Sequence, residues 1–550
     1  MAEDYVSIVV NNEIINVAPK TTVGEVLKAQ DNPEIVGGLI SNSVVGLSTS
    51  INVPINLTPV YSNSREGHQI LNRTSSLVLE YVLSTFFPSY HFQVGQSLNK
   101  GCYYELVNPQ DVQADFEKLA EDINREITKL VEADLKITTK MCGIETACLL
   151  IKDRRGSVVK LLESRPYDQI VLLSRLEDFY AVQYGPIAPS TRYCKNIKIA
   201  PYSNGIILQF TTKQVKTANN THLINSYNEN RQWNKMIGVA TVGDLNEAIL
   251  TGKIKDVIKV QEGLHEKKII QIADQIAAHR DKLRLICIAG PSSSGKTTFL
   301  KRLSIQLRVA GIDPVTISLD DYYADRSLMT PEQLSKLDLE SLDALDVPLL
   351  VEHMRTLVEG GKVMCPHFDF TTGSRVDPSK FTPLQLKPNQ MLLIEGIHGL
   401  NPAIANSVPE ECRFRIFVSA LTQLIVDAHT RIPTSDTRLL RRIVRDRRYR
   451  GTSAAKTIAM WPKVRRGEQR NIFPFQENCD VMFNSSLVYE AAVLRTFAWR
   501  YLLEVPTTDP ARVQAQPLLS FLNLFVPIFP DHIPTNSLLR EFIGGSSFAY

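Results

Sequence analysis

Leu283-Arg-Leu-Ile-Cys-Ile-Ala-Gly-Pro-Ser-Ser-Ser-Gly-Lys-Thr297 sets an apolar run directly against the pattern Gly-x4-Gly-Lys-Thr. Each part of that pattern has a separate task. Gly290 and Gly295 let the backbone wrap close to a polyphosphate, so that successive N–H groups point at its oxygens. Lys296 has the reach for β- and γ-phosphates, and the Thr297 hydroxyl suits Mg²⁺. Beyond Thr298, apolar residues at Phe299, Leu303 and Leu307 keep helical spacing and Gly311 fits as a stop. A strand, a glycine-rich turn and a helix are the context this motif requires, against the competing reading of a serine-rich surface loop. Gly290, Pro291, Ser292, Ser293, Ser294, Gly295, Lys296, Thr297 and Thr298 are therefore the candidate site for a nucleoside triphosphate.

Further strands follow. Pro314–Leu319 is β-branched and apolar and runs into Asp320-Asp-Tyr-Tyr323; Met391–Ile394 runs into Glu395-Gly396; Phe414–Val418 adds a fourth run. In open α/β sheets ligands gather at the carboxyl ends of strands. A carboxylate there can accept a hydroxyl proton or hold Mg²⁺, which nominates Asp320 and Glu395; capping of the next helix is the plain alternative for Asp320 and Asp321. In Thr437-Arg-Leu-Leu-Arg-Arg-Ile-Val-Arg-Asp-Arg-Arg-Tyr-Arg450, Arg438, Arg442 and Arg445 fall on one helical face. Such a face suits a lid over a transferring phosphoryl group; a solvated basic surface and an RNA patch are the alternatives.

At 550 residues the chain exceeds what one core usually serves. Hydrophobic content of 44% and charged content of 22% are those of a soluble globular protein, and a net charge of +3 gives no general pull toward nucleic acid or membrane. The acidic start predicts no secretory signal, and Leu518–Phe529, broken by Asn523 and Pro527, is too short for a membrane span of roughly 20 residues. The eight cysteines show no Cys-x2-Cys pair, which predicts free thiols in a reducing cytoplasm.

Toward the front, Val6, Ile8 and Val10 alternate, Asn11-Asn12 makes a turn, and Ile15 and Val17 alternate again, as in a hairpin. Thr22-Val-Gly-Glu25 is a capping box. Residues 1–65 resemble the ubiquitin-like β-grasp (TGS) domain. Residues 66–240, with Asn72–Glu80, Phe87-Pro88 and Gly95–Tyr104, resemble the second, editing-type α+β domain of threonyl-tRNA synthetases. There the family carries two histidines four apart, and a Cys and a His downstream; here those places are Thr74, Val78, Cys194 and Lys198, which implies a scaffold without editing chemistry. Helical spacing over 241–280 predicts a connector, whose His265 and His279 are expected at a surface or interface.

Gly290–Thr298, Asp320–Tyr323, Pro366–Phe370, Ser374-Arg375, Glu395-Gly-Ile and Asp436–Asp446 resemble, in order and spacing, the uridine kinase / phosphoribulokinase family over about 281–500. Trp461–Glu468, Ile472–Glu477 and Leu538–Phe548 are similar to its long members with a synthetase-like front. The resemblance implies an α/β P-loop NTPase kinase domain over 281–505, its parallel sheet flanked by helices, followed by a tail over 506–550. It implies ATP and Mg²⁺ as cofactors and a nucleoside-like small molecule as partner, uridine or cytidine by family default. By position, Asp320 is the catalytic aspartate, Lys296 and Arg445 act on the phosphoryl group, and Arg450 lies near the nucleotide. Tyr323, Glu340, Phe368 and Arg442 fall on the acceptor side; Thr297, Asp320 and Glu395 on the metal side. The short kinases read the base with a Tyr and a His where this chain has Phe368 and Gly373, so the acceptor stays open. Another metabolite, as in the phosphoribulokinase branch, and a nucleotide-switched RNA- or ribosome-associated regulator are the alternatives.

Overall fold

The structure is a computed structural model that describes residues 5–98, 101–107, 115–151, 156–164, 170–210, 220–325, 329–330, 332, 338–369 and 372–550. Asn99 and Lys100 of the synthetase-like motif and Phe370 of the kinase-like motif lie outside the described residues.

Strands Val6–Val10 and Glu13–Val17 pair antiparallel, with Asn11 and Asn12 both in the left-handed region that a two-residue hairpin turn demands. Strand Val6–Val10 also pairs in parallel with Ile55–Tyr61, and Ile35–Ile40 and Ser43–Gly46 complete a five-stranded sheet. The capping box at Thr22 and Glu25 opens the short helix Val23–Val26, which seals this sheet with Val23 and Leu27.

Residues 65–209 build two antiparallel sheets. Phe92–Leu98, Gly101–Leu106, Gly205–Gln209 and Lys198–Tyr202 form one, packed beneath helices Arg65–Phe86 and Phe116–Ala133; Ile137–Gly143, Ile170–Leu176 and Phe179–Val182 form the other. Thr74 and Val78 are buried on the long helix, and Cys194 lies against the same face, accepting a hydrogen bond from Ser75 at 3.8 Å. The Thr74 hydroxyl donates to the Ile70 carbonyl and accepts from the Ala188 amide, so its polar capacity is spent inside the fold.

The connector is two helices, Val242–Leu250 and Ile254–Ala278. His279 is exposed, whereas His265 is buried at the junction with the kinase half, edge-on to Phe483 and bonded to the Ser486 carbonyl; burial pulls its pKa down to about 3. No helix among the described residues is long and apolar enough to cross a membrane, and all eight cysteines are free thiols.

Beyond residue 280 lies a five-stranded parallel sheet in the spatial order 313–318, 390–395, 285–289, 413–419, 481–484. Its central strands are buried on both faces, as their continuous apolar runs require. The phosphate-loop helix Lys296–Val309 packs Phe299, Leu303 and Leu307 onto one face, and Gly311 supplies the positive φ that ends it. Residues 506–550 form no loose tail. Leu518, Leu522, Leu538, Leu539 and Phe542 are buried in the same core as the sheet's helices.

The two halves share core. Residues 420–433, between strand Arg413–Ser419 and helix Thr434–Tyr449, run against the front half: the Thr422 carbonyl accepts from Gln96, the Ala428 carbonyl accepts from the Val94 amide, and Ile425 is buried among Leu77, Val78 and Leu208. In return Glu477 accepts from the amides of His222 and Leu223, capping helix Thr221–Met236. Ile425→Ala should remove about 2–4 kcal/mol of stability and lower the denaturant midpoint of the front half and the kinase half together. Unfolding of one half with the other unshifted would contradict the shared core.

Candidate active site

The phosphate loop bridges the carboxyl end of strand Leu285–Ala289 and its helix. A Cβ on Gly290 would stand 2.1 Å from the Val418 carbonyl oxygen, so only glycine lets the loop pass the neighbouring strand. Ser293 and Gly295 are left-handed, at φ +59° and +86°, which turns successive amides toward one concave side.

Turning the amides inward sends the carbonyls outward, and buried arginines meet them. Arg438 Nε donates to the Ser292 carbonyl at 2.9 Å and Arg441 Nη1 to the Ser293 carbonyl at 3.4 Å; the Ser485 hydroxyl donates to the Ser294 carbonyl at 2.5 Å. Arg438 pairs with Glu468, and its guanidinium lies 5.4 Å from the Trp461 ring. Arg441 pairs with Glu490 at 2.5 Å. All four charged side chains are buried. The expectation that Arg438 belongs to an open lid face is corrected here: helix Thr434–Tyr449 turns Arg438 into the core.

Several of the residues nominated from sequence converge. Lys296 Nζ lies 3.7 Å from Glu395 Oε1. Burial pushes the Glu395 carboxyl up to about 7, Lys296 opposing and Asp320 and Glu541 adding to the rise. Asp320 follows strand Asp313–Ser318 in a single turn capped by Ser318, so the cap is Ser318 and the Asp320 carboxylate is left to the cleft. The surrounding protein raises its pKa, against Lys296, Arg450 and Arg445; its access to solvent limits that rise.

Arg442 Nη1 donates to the Ser292 hydroxyl at 3.0 Å. Buried Asp446 gathers the other arginines: Arg442 at 3.2 Å, Arg445 at 3.6 Å and Arg450 at 3.3 Å. Glu340 is enclosed beneath helix Ala454–Asn471, where Gly467 has no room for a Cβ; burial raises its pKa and Arg442 opposes. The Tyr323 and Phe368 rings lie 5.5 Å apart, and the Asp321 carboxylate accepts from the Phe368 amide at 3.4 Å and pairs with His367 at 2.8 Å. Both rings are buried in the core beside the Asp320 turn, and the Tyr323 hydroxyl donates to the Leu339 carbonyl at 3.0 Å.

A model of the phosphoribulokinase / uridine kinase family matches residues 285–490. A uridine kinase from Brevibacillus brevis is 32% identical over 181 residues, which cover 33% of this chain and 74% of that protein. The chain belongs to the phosphoribulokinase / uridine kinase family. Like the family it is an ATP-dependent phosphotransferase, by virtue of its C-terminal half. A threonine–tRNA ligase from Clostridioides difficile is 27% identical over 167 residues, covering 30% of this chain, in its N-terminal region, and 26% of that protein. The solved structure of a possible uridine kinase from Bacillus stearothermophilus aligns with 40% of this chain and 98% of that one, at 18% identity and a TM-score of 0.27.

The sequence motifs contain Asp446, Glu468 and Glu541 without giving any of them a task, and Glu490 lies in none of them. Arg441 and Glu468 were inside recognised motifs, but their partners come from helices that sequence spacing does not connect. Glu468→Gln leaves Arg438 buried without a counter-charge, which should cost about 3–5 kcal/mol and loosen the loop at Ser292. Denaturant unfolding checks the first effect and nucleotide affinity the second; unchanged affinity would separate the clamp from the loop.

Proposed function

We propose that this kinase transfers the γ-phosphoryl group of ATP to a hydroxyl of a nucleoside-like small molecule, with the ribose 5′-OH of uridine or cytidine as the first candidates. The observation that carries the reading is the convergence of Lys296, Glu395, Asp320, Arg445 and Arg450 on one side of the phosphate loop. Asp320 would accept the proton of the attacking hydroxyl. Lys296 and the loop amides would hold the β- and γ-phosphates, and Arg445 and Arg450 would balance charge as it develops.

Mg²⁺ suits the residues present. Thr297, Asp320 and Glu395 offer hard oxygen donors, and among the described residues no three His, Cys, Asp or Glu side chains form a cage of their own. That is the pattern of an ion bound by one or two carboxylates plus phosphate oxygens. Bound there, Mg²⁺ would supply charge neutralisation at the phosphates. Glu395 must lose its proton to serve, so Mg²⁺ affinity should rise about tenfold from pH 6 to 8, levelling above 7. Titration calorimetry reads the profile, and Glu395→Gln should flatten it.

A different acceptor within the same chemistry is favoured by one feature. Phe368 brings a ring without a hydroxyl, and Gly373, at φ +70°, brings no side chain at all. Phosphate transfer from Mg·ATP, screened against nucleosides and sugar phosphates, tests both readings. Turnover should fall at least a thousandfold in Asp320→Asn and in Lys296→Ala. Turnover with uridine or cytidine supports the first; turnover only with another hydroxyl compound moves the substrate and keeps the mechanism. ATP binding with no acceptor-dependent turnover would shift the reading to a nucleotide-switched, RNA-associated regulator, for which salt-sensitive RNA co-purification is the check.

A further inference from the structure

The N-terminus of the phosphate-loop helix presents amides of the kind that bind nucleotide phosphate. One of them already holds an anion from this chain. The Thr298 amide and hydroxyl both donate to Glu541 Oε2, at 3.3 and 2.7 Å. The other oxygen of Glu541 faces Arg445 Nη1 at 4.0 Å. Glu541 is the lone acid in Leu538-Leu-Arg-Glu-Phe-Ile543, a segment otherwise committed to the core.

The geometry points to Glu541 as an internal competitor of the nucleotide: its carboxylate stands where a phosphate oxygen would be received at Thr298, and ATP binds fully only once that side chain has swung aside. This rests on the nucleotide reading of the phosphate loop and adds a control to it.

Three further observations carry the idea. The segment is held in place, with Leu538, Leu539 and Phe542 buried and Leu538 lying on Gly295, so that a Cβ on Gly295 would meet it at 2.4 Å. The carboxylate is therefore presented to the loop by a rigid neighbour. After Gly544 and Gly545, both left-handed, the chain returns to the same helix: Tyr550 bonds the Thr298 hydroxyl at 2.8 Å, and Lys301 donates to the Ala549 carbonyl. Finally, an amide on the first turn of a helix has no intrahelical acceptor, and Glu541 supplies one at Thr298. Only the side chain need rotate for a phosphate to replace it, and Arg445 is the cation toward which it would turn.

The test is equilibrium binding of MgADP and of adenosine to the full chain, measured by calorimetry on wild type, Glu541→Gln and Glu541→Asp, with circular dichroism confirming each fold. Gln keeps the shape and removes the charge; Asp keeps the charge and withdraws it by one methylene. MgADP should bind about tenfold more tightly to Glu541→Gln and by a smaller factor to Glu541→Asp, the scale of one charge-assisted hydrogen bond. Adenosine, which has no phosphate, should bind all three alike. MgADP affinity that is unchanged or weaker in both folded variants would overturn the competition while leaving nucleotide binding intact. Failure of all three proteins to bind MgADP would overturn the nucleotide reading and the proposal with it.

Discussion

The structure depends on a pair of buried arginines that hold the back of the phosphate loop. A loop that aims its amides at an anion must leave its carbonyls facing protein, and an unpaired buried carbonyl is costly. Here Arg438 and Arg441 meet the carbonyls of Ser292 and Ser293, and Glu468 and Glu490 neutralise the arginines in turn. Desolvating four charges is affordable only when every hydrogen bond is made. The loop's shape is thus tied to three helices at once: Thr434–Tyr449 carries the arginines, while Ala454–Asn471 and Glu490–Leu503 carry the glutamates.

The same helix divides its arginines between two tasks. Arg438 and Arg441 face inward to the loop's carbonyls, whereas Arg442, Arg445 and Arg450 face the cleft and are gathered by Asp446. Helical spacing alone placed Arg438 with Arg442 and Arg445, because positions three, four and seven apart share a face. What spacing does not contain is the depth at which helix Ala454–Asn471 crosses, and that crossing buries the N-terminal end of the face. Local order was readable wherever a single segment decides its own conformation: the Asn11-Asn12 hairpin, the Thr22–Glu25 box, the strand–loop–helix at 285–309. The approach of Glu541 to Thr298 joins residues more than two hundred positions apart, and no pattern within either segment announces it.

The front half illustrates the same limit on a larger scale. Its strands and helices follow from alternation and capping, yet its relation to the kinase half turns on residues 420–433, a stretch without periodicity. That stretch leaves the carboxyl end of strand Arg413–Ser419, buries Ile425 in the front core, and arrives at the arginine helix. With the Glu477 cap running the opposite way, each half completes an element of the other. A movement of the front half would therefore be felt first at the entry to the helix that both clamps the phosphate loop and supplies its arginines.

On the acceptor side the balance of polar and apolar groups constrains what selectivity can be built. A pocket discriminates strongly when buried donors and acceptors must be matched, and weakly when it offers only a ring face. The rings of Tyr323 and Phe368 are buried and present no open polar edge, and Gly373 itself brings no side chain. The charged groups, Glu340 and Arg442, lie instead toward Lys296 and the phosphate loop, where on the proposed reading a sugar hydroxyl would sit. On that reading, recognition by these charged groups reads the sugar more closely than the edge of a base.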